Sequence, residues 1–238
     1  LFILDKKGVH KSMNETKDFA KKLSTYGFDT IISLHKSYRT SLIVKNISAI
    51  RKIGFSNATN SKVYTTKVKY KWHLHEAKRY LSTCFDDLEL ENIELDVKLD
   101  DKLYIENILS LDNVRKTILL APGSVWGTKK WGNQKYYDLA DILKEKYNVI
   151  IIGSKNDSFE TPMGVTNLCG KTSFPQLYHL LSISNVIVTN DSAPTHFASI
   201  TNTPTITLFG ATHPMFGFSP LADKNIIVQN ENLKCRPC

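Results

Sequence analysis

The stretch Val186-Ile187-Val188-Thr189-Asn190-Asp191-Ser192-Ala193-Pro194-Thr195-His196 changes character halfway along. Val186–Thr189 is a short β-branched run, the pattern of a buried strand. Small and polar residues follow at once, and Pro194 suits the first turn of a helix reaching Thr201. A strand that ends in a small polar loop and feeds a helix is the repeating unit of a parallel sheet. Downstream, strand Pro204–Phe209 runs into the loop Gly210-Ala211-Thr212-His213-Pro214. Upstream, strand Thr117–Leu120 leads through Ala121-Pro122-Gly123-Ser124-Val125-Trp126-Gly127-Thr128-Lys129-Lys130-Trp131 into a helix over Asn133–Lys146. Strand Asn148–Ile152 meets Gly153-Ser154-Lys155-Asn156-Asp157, and a helix over Phe174–Ser182 precedes the opening stretch.

The first half repeats the alternation less clearly. Leu1–Leu4 reads as a strand, Asn14–Thr25 as a helix ended by Gly27, Thr30–Leu34 as a strand and Tyr38–Ile47 as a helix. Arg51–Phe55 suggests a short strand and His73–Leu81 a helix. Residues 88–112 are acidic and irregular, with room for one short helix. The expected fold is α/β, with domains over residues 1–113 and 114–238.

The 238 residues carry 31 Lys and Arg against 23 Asp and Glu, a net charge of +8. A basic balance favours encounters with phosphates, nucleic acid or an anionic membrane face without choosing among them. Nothing matches a nucleic-acid-binding signature, so no nucleic-acid partner is expected. No apolar run approaches the roughly 18–20 residues that span a bilayer. Four scattered cysteines do not make a disulfide scaffold and fit a reducing cytoplasm.

Open parallel sheets bind ligands at the carboxyl ends of their strands. Four consecutive strand ends here carry polar, mostly Gly-bearing loops, the outline of a nucleotide cleft. In the loop Asn190–His196, small Ser192 and Ala193 allow a phosphate to approach free amides at a helix start, where the dipole also favours an anion. His196 falls in the first turn, facing that anion. The competing reading is plain N-capping by Asp191 or Ser192. Lys129, in a loop made adaptable by Gly123, Ser124, Gly127 and Thr128, can fold over a diphosphate as a point charge; otherwise it is a solvated lysine. Asp157 can accept from ribose hydroxyls or cap the next segment. Thr172 can border an adenine or cap the helix after it, and His213 is ambiguous in the same way. Cys235-Arg236-Pro237-Cys238 could be half of a metal site or a redox pair, but a zinc site wants four ligands and no second Cys/His pair lies near it in sequence.

Taken together, the runs Asn190–Ser199 and Thr203–Pro214, the Pro122-Gly123…Lys129-Lys130-Trp131 element, Gly170-Lys171-Thr172-Ser173 and Cys235–Cys238 resemble the lipopolysaccharide heptosyltransferases. Leu34-His35-Lys36-Ser37, Arg51–Phe55 and Leu74–Leu81 are similar as well. The resemblance implies a GT-B fold, two Rossmann-like domains, with inverting transfer of heptose from ADP-heptose to an acidic lipid-linked core oligosaccharide. It implies no metal and no cofactor, and a cytoplasmic enzyme in peripheral contact with the inner membrane surface. The alternative is a nucleotide-sugar-binding module without catalysis, or a relative acting on another glycan.

Carried over, Lys129, Asp191 and His196 would act at the reacting centre, with Lys129 rather than Lys130 on the diphosphate. Ser124, Thr128, Asp157, Thr172, Ser192 and Ala193 would bind donor, and His35, Lys36 and Arg39 would position the acceptor. Ala193 departs from the family's usual Gly, which narrows the approach of phosphate to the backbone. The family's Gly-Asp loop, whose Asp serves as base, has no counterpart here. The remaining first-half base candidates are Asp5, Asp29, His35 and Glu76. The first domain is therefore expected to lack its opening strands, the second its closing helix, and the chain to bind ADP without transferring heptose.

Overall fold

The computed structural model describes residues 1–85, 94–109, 115–232, 235 and 237. The chain divides into two compact units, Leu1–Leu90 and Glu91–Cys238.

In the first unit the order is α1 (Met13–Ser24), β1 (Thr30–Ser33), α2 (Tyr38–Lys45), β2 (Arg51–Phe55), β3 (Thr66–Val68) and α3 (Glu76–Leu81). The strands form a parallel sheet in the order β1-β2-β3. Helix α1 starts where Ser12 and Glu15 close a reciprocal capping box, which satisfies two of the orphan amides of the first turn. Helix α2 buries Leu42 and Val44, the latter in a cluster with Ala58 and Tyr64. Leu1–Leu4 is not a strand. Leu1, Phe2 and Ile3 are exposed, and no described strand pairs with them. An apolar run becomes a strand only when a neighbour takes its hydrogen bonds. Helix α3 begins at Glu76 rather than His73 because His75 Nδ1 caps it, accepting from Ala77 N at 3.2 Å.

In the second unit the order is α4 (Leu99–Ile108), β4 (Thr117–Ala121), α5 (Asn133–Leu143), β5 (Asn148–Ile151), β6 (Thr166–Asn167), α6 (Phe174–Ser182), β7 (Val186–Asn190), α7 (Ala193–Ile200), β8 (Thr205–Phe209) and β9 (Asn225–Gln229). All six strands run parallel in the order β6-β5-β4-β7-β8-β9. Every residue of β4 is buried, because helices cover both faces of the sheet. Alternation divides its side chains: Leu119 and Ala121 join Ile105, Leu180, Leu181 and Ala198 on one face. Ile118 and Leu120 join Tyr136 and Ala140 on the other. Burying each large aliphatic side chain contributes about 1.5–3 kcal/mol.

Residues 110–114, where the sequence suggested the domain boundary, lie outside the described residues. Helix α4 belongs to the second unit, since Ile105 and Leu109 are buried in its core. The units therefore part before α4 rather than after it. This division also sorts the charge. Residues 1–90 carry 17 Lys and Arg against 8 Asp and Glu, and residues 91–238 carry 14 against 15. The first unit holds +9 of net charge and the second −1.

Candidate functional site

Because β4, β5, β7 and β8 are parallel neighbours, the loops after them emerge at one edge of the sheet. Asn190, the last residue of β7, is fully buried and brackets the loop after β4. Its Nδ2 donates to Pro122 O at 2.7 Å, and its Oδ1 accepts from Trp131 N at 3.1 Å. That bracket holds Lys129 beside the next residue of the chain, Asp191. Lys129 Nζ lies 2.7 Å from Asp191 Oδ2 and 3.4 Å from Asp191 O. Thr212 Oγ1 donates to the same Oδ2 at 2.6 Å. The loops after β4, β7 and β8 thus meet at one buried carboxylate. Gly210 permits this approach, because a Cβ there would stand 2.8 Å from Thr128 O.

Neither N-capping alternative holds at α7. Asp191 is engaged by Lys129 and Thr212, and Ser192 makes no side-chain cap. The Ser192 hydroxyl turns back onto Asn190 O at 3.3 Å. Asp157 does not cap the segment after it; it ends the turn Lys155–Asp157 and bonds backward to that turn's N-cap, its Oδ2 accepting from Ser154 N at 3.0 Å and Ser154 Oγ at 2.6 Å. Its Oδ1 faces Lys130 Nζ at 3.4 Å. Gly123 leaves room for this carboxylate, since a Cβ on it would sit 2.6 Å away. Thr172 does not cap α6; Ser173 does, in a capping box with Gln176.

These loops enclose a cavity of about 630 Å³, within the range of small-molecule sites. Gly123, Ser124, Lys130, Asp157, Thr172, Ser192 and Ala193 all line it. Its apolar side is formed by Ile152, Leu177, and Phe174 stacked on Phe197, with ring centroids 5.4 Å apart and planes 12° from parallel. Thr128 is exposed and does not line the cavity. His196, in the first turn of α7, is driven below the ordinary histidine pKa by burial; Asp191 opposes this and Lys129 adds to it. The pair Cys235 and Cys238 falls partly outside the described residues, and Cys235 is an exposed thiol. Among the described residues no group of three or more His, Cys, Asp or Glu could hold a metal ion.

In the first unit, Arg39 is engaged by structure. It donates to His10 O at 2.5 Å, Thr16 Oγ1 at 2.8 Å and Lys11 O at 2.8 Å. It ties the loop before α1 to α2, which leaves its charge poorly placed for an acceptor. His35 Nδ1 lies 3.0 Å from Ser37 Oγ, at the start of α2. Lys36 Nζ sits 3.4 Å above the Tyr70 ring. Glu76 is no free base, for Tyr70 OH and Arg79 Nη1 donate to it at 2.7 and 2.6 Å. Burial would raise its pKa, but hydrogen bonds from Tyr70, Tyr80 and Arg79 outweigh that and lower it. Asp5 accepts the amides of Gly8 and Lys7, which lowers its pKa.

The sequence reading missed three residues here. Asn190 looked like loop, although a polar residue directly before a strand-end Asp is well placed to tie loops together. Thr212 stands among other small residues, and the sequence reading puts Lys129 rather than Lys130 on the diphosphate.

The profile of glycosyltransferase family 9 (heptosyltransferase) matches residues 16–238. Lipooligosaccharide heptosyltransferase 2 of Campylobacter jejuni is 28% identical over 219 residues, covering 87% of this chain and 66% of that protein. This chain thus spans just under two thirds of that relative's length. The structure of E. coli ADP-heptose LPS heptosyltransferase II superposes with a TM-score of 0.75 at 24% identity, over 93% of this chain and 74% of that one. A family 9 glycosyltransferase from Veillonella parvula gives 0.82 at 22% identity, over 98% and 72%. These likenesses show the fold, and the profile match, running from α1 to the last residue, carries the assignment: the chain belongs to glycosyltransferase family 9, the heptosyltransferases.

Proposed function

We propose that this protein transfers heptose, with inversion, from ADP-heptose to an acidic lipid-linked core sugar of lipopolysaccharide. The observation that carries this reading is the convergence of three loops on Asp191 at the margin of a cavity of nucleotide size. In the proposal, adenine lies against Phe174 and Phe197 with Thr172 at its edge. Asp157 accepts from the ribose, and Ser124 borders it. The amides of Ser192 and Ala193 meet phosphate at the start of α7, where the backbone favours an anion. Asp191, held by Lys129 and Thr212, accepts from heptose hydroxyls, with neutral His196 beside it. Cations and helix-start amides then stabilise charge as the nucleoside diphosphate departs.

Inversion needs a base opposite the leaving group to take the acceptor's proton. The first unit supports the acceptor side of the reading. Its +9 charge suits carboxylates or phosphates, and His35 and Lys36 follow β1 at a strand end. The same charge suits peripheral contact with the anionic inner face of the membrane, where basic residues contribute about 1 kcal/mol each. No described helix is long and apolar enough to cross a bilayer.

Calorimetry with ADP-heptose, ADP, UDP and GDP tests the donor assignment on the 238-residue chain. Binding confined to the two adenine ligands is expected, with heptosylated acceptor glycolipid sought by mass spectrometry. Preference for UDP or GDP would overturn the proposal.

A further inference from the structure

We propose that the edge of the first sheet at β3, carrying Lys67, Lys69, Lys71 and Trp72, docks onto an anionic phospholipid surface. The assignment rests on the reading of a lipid-linked acceptor and gives the membrane contact a definite place on the chain. The charge of the first unit is unevenly spread. Between Asp29 and Glu76 the chain has nine Lys and Arg and no acidic residue, while the rest of residues 1–90 carries eight of each sign. Among the described contacts none of those nine side chains is in an ion pair. The described sheet ends on β3, so one side of that strand is open. Along Lys67-Val68-Lys69-Tyr70-Lys71 burial alternates: the three lysines are exposed, Val68 is half-buried and Tyr70 is buried. In an extended chain successive side chains point to opposite sides, which puts the three ammonium groups on one of them.

Trp72 gives this edge an apolar tip. It is 64% exposed, yet it is held in place. Its ring stands edge-on to Tyr70, with centroids 4.7 Å apart and planes 73° from parallel. Its carbonyl accepts from Arg79 Nη2, and Lys71 O accepts from Arg79 Nε at 3.0 Å. Arg79 is buried, so a guanidinium inside the unit fixes the backbone that presents both Lys71 and Trp72. A row of lysines ending in an indole fits a bilayer interface. The ammonium groups stay among the phosphates while the amphipathic ring settles at headgroup level. Lysines on an edge strand also deter pairing between chains, but that role needs neither an acid-free stretch nor an exposed indole held in place. Charge alone would suit a polynucleotide as well. The row holds lysines rather than the arginines whose planar fork suits nucleic acid, which favours the lipid.

Flotation of the 238-residue chain with vesicles of phosphatidylcholine alone, and of equal parts phosphatidylcholine and phosphatidylglycerol, tests the surface. Binding to the mixed vesicles alone is expected, weakening as salt rises. Lys67→Gln, Lys69→Gln and Lys71→Gln together should weaken it about a hundredfold, since each basic residue near an anionic surface is worth about fivefold. Removing the same charge from α1, through Lys17→Gln, Lys21→Gln and Lys22→Gln, should weaken it less than about fivefold. Tryptophan emission should shift to the blue on the mixed vesicles, and Trp72→Phe should lose that shift. Equal losses in the two triple variants, or a blue shift intact in Trp72→Phe, would overturn the assignment. So would tighter binding to polyuridylate than to the mixed vesicles, lost in the β3 variant. A wild type that ignores both vesicles but binds ADP would overturn the docking edge and leave the donor reading intact. One that binds the mixed vesicles but no adenine nucleotide would support the edge and sink the donor reading.

Discussion

Each unit holds a carboxylate and a cation beside a strand-end loop, and the two pairs are built differently. In the first unit Arg79 is 1% exposed and engages Glu76, Tyr70 OH, Lys71 O and Trp72 O. Its bonds are with the protein itself, and they shape the segment from Tyr70 to His75. In the second unit Lys129 is 23% exposed and bonds only to Asp191 in the described contacts, and Asp191 is shared with Thr212. The first pair is closed, like a structural tie. The second is open on one side, as a group that must exchange partners has to be. Charge follows the same division, with +9 on the first unit and −1 on the second.

If that contrast is right, breaking the sealed pair should have the largest effect on stability. Arg79→Met leaves Glu76 charged and buried, and should destabilise the protein by about 3–5 kcal/mol. Urea unfolding would measure it, and a loss below about 1 kcal/mol would erase the distinction between the pairs. Lys129→Met should cost less, about 1–3 kcal/mol, because Thr212 still donates to Asp191. A double-mutant cycle with Asp191→Asn should recover part of that loss, since the uncharged amide no longer needs the ammonium.

The smallest effect should be a pH dependence. Burial lowers the pKa of His196, so the unfolded chain takes up a proton there more readily than the folded one. The stability associated with a neutral His196 is therefore intact above the ordinary histidine range and declines as pH falls through about 6.5. His179 is shifted the same way, mainly by burial, so His196→Gln should remove only part of the acid sensitivity in thermal melts. An unchanged pH profile in that variant would place His196 in contact with water.

The four central strands of the second sheet were legible because each carries its own signal. Val186–Thr189 and Thr117–Leu120 are β-branched and aliphatic, the loops after them are small and polar, and Pro194 marks a helix start. Strands β3, β6 and β9 were not read. Strands β3 and β6 are short, β9 is as long as β4, and all three are half-exposed, with residues such as Lys67 and Asn225; they exist because a neighbouring strand takes up their hydrogen bonds. The same cause misplaced Leu1–Leu4, whose pattern fits a strand but whose surroundings supply none. Local sequence thus determined the alternation of elements, the glycines at the sheet edge and the set of polar residues there. Tertiary structure alone decided that Asn190 brackets the loop after β4, that Asp191 serves Lys129 and Thr212 instead of its own helix, and that Lys129 and Lys130 part company. Those outcomes depend on which strand lies beside β4, and a partner 62 residues away leaves no trace in the residues next to either lysine.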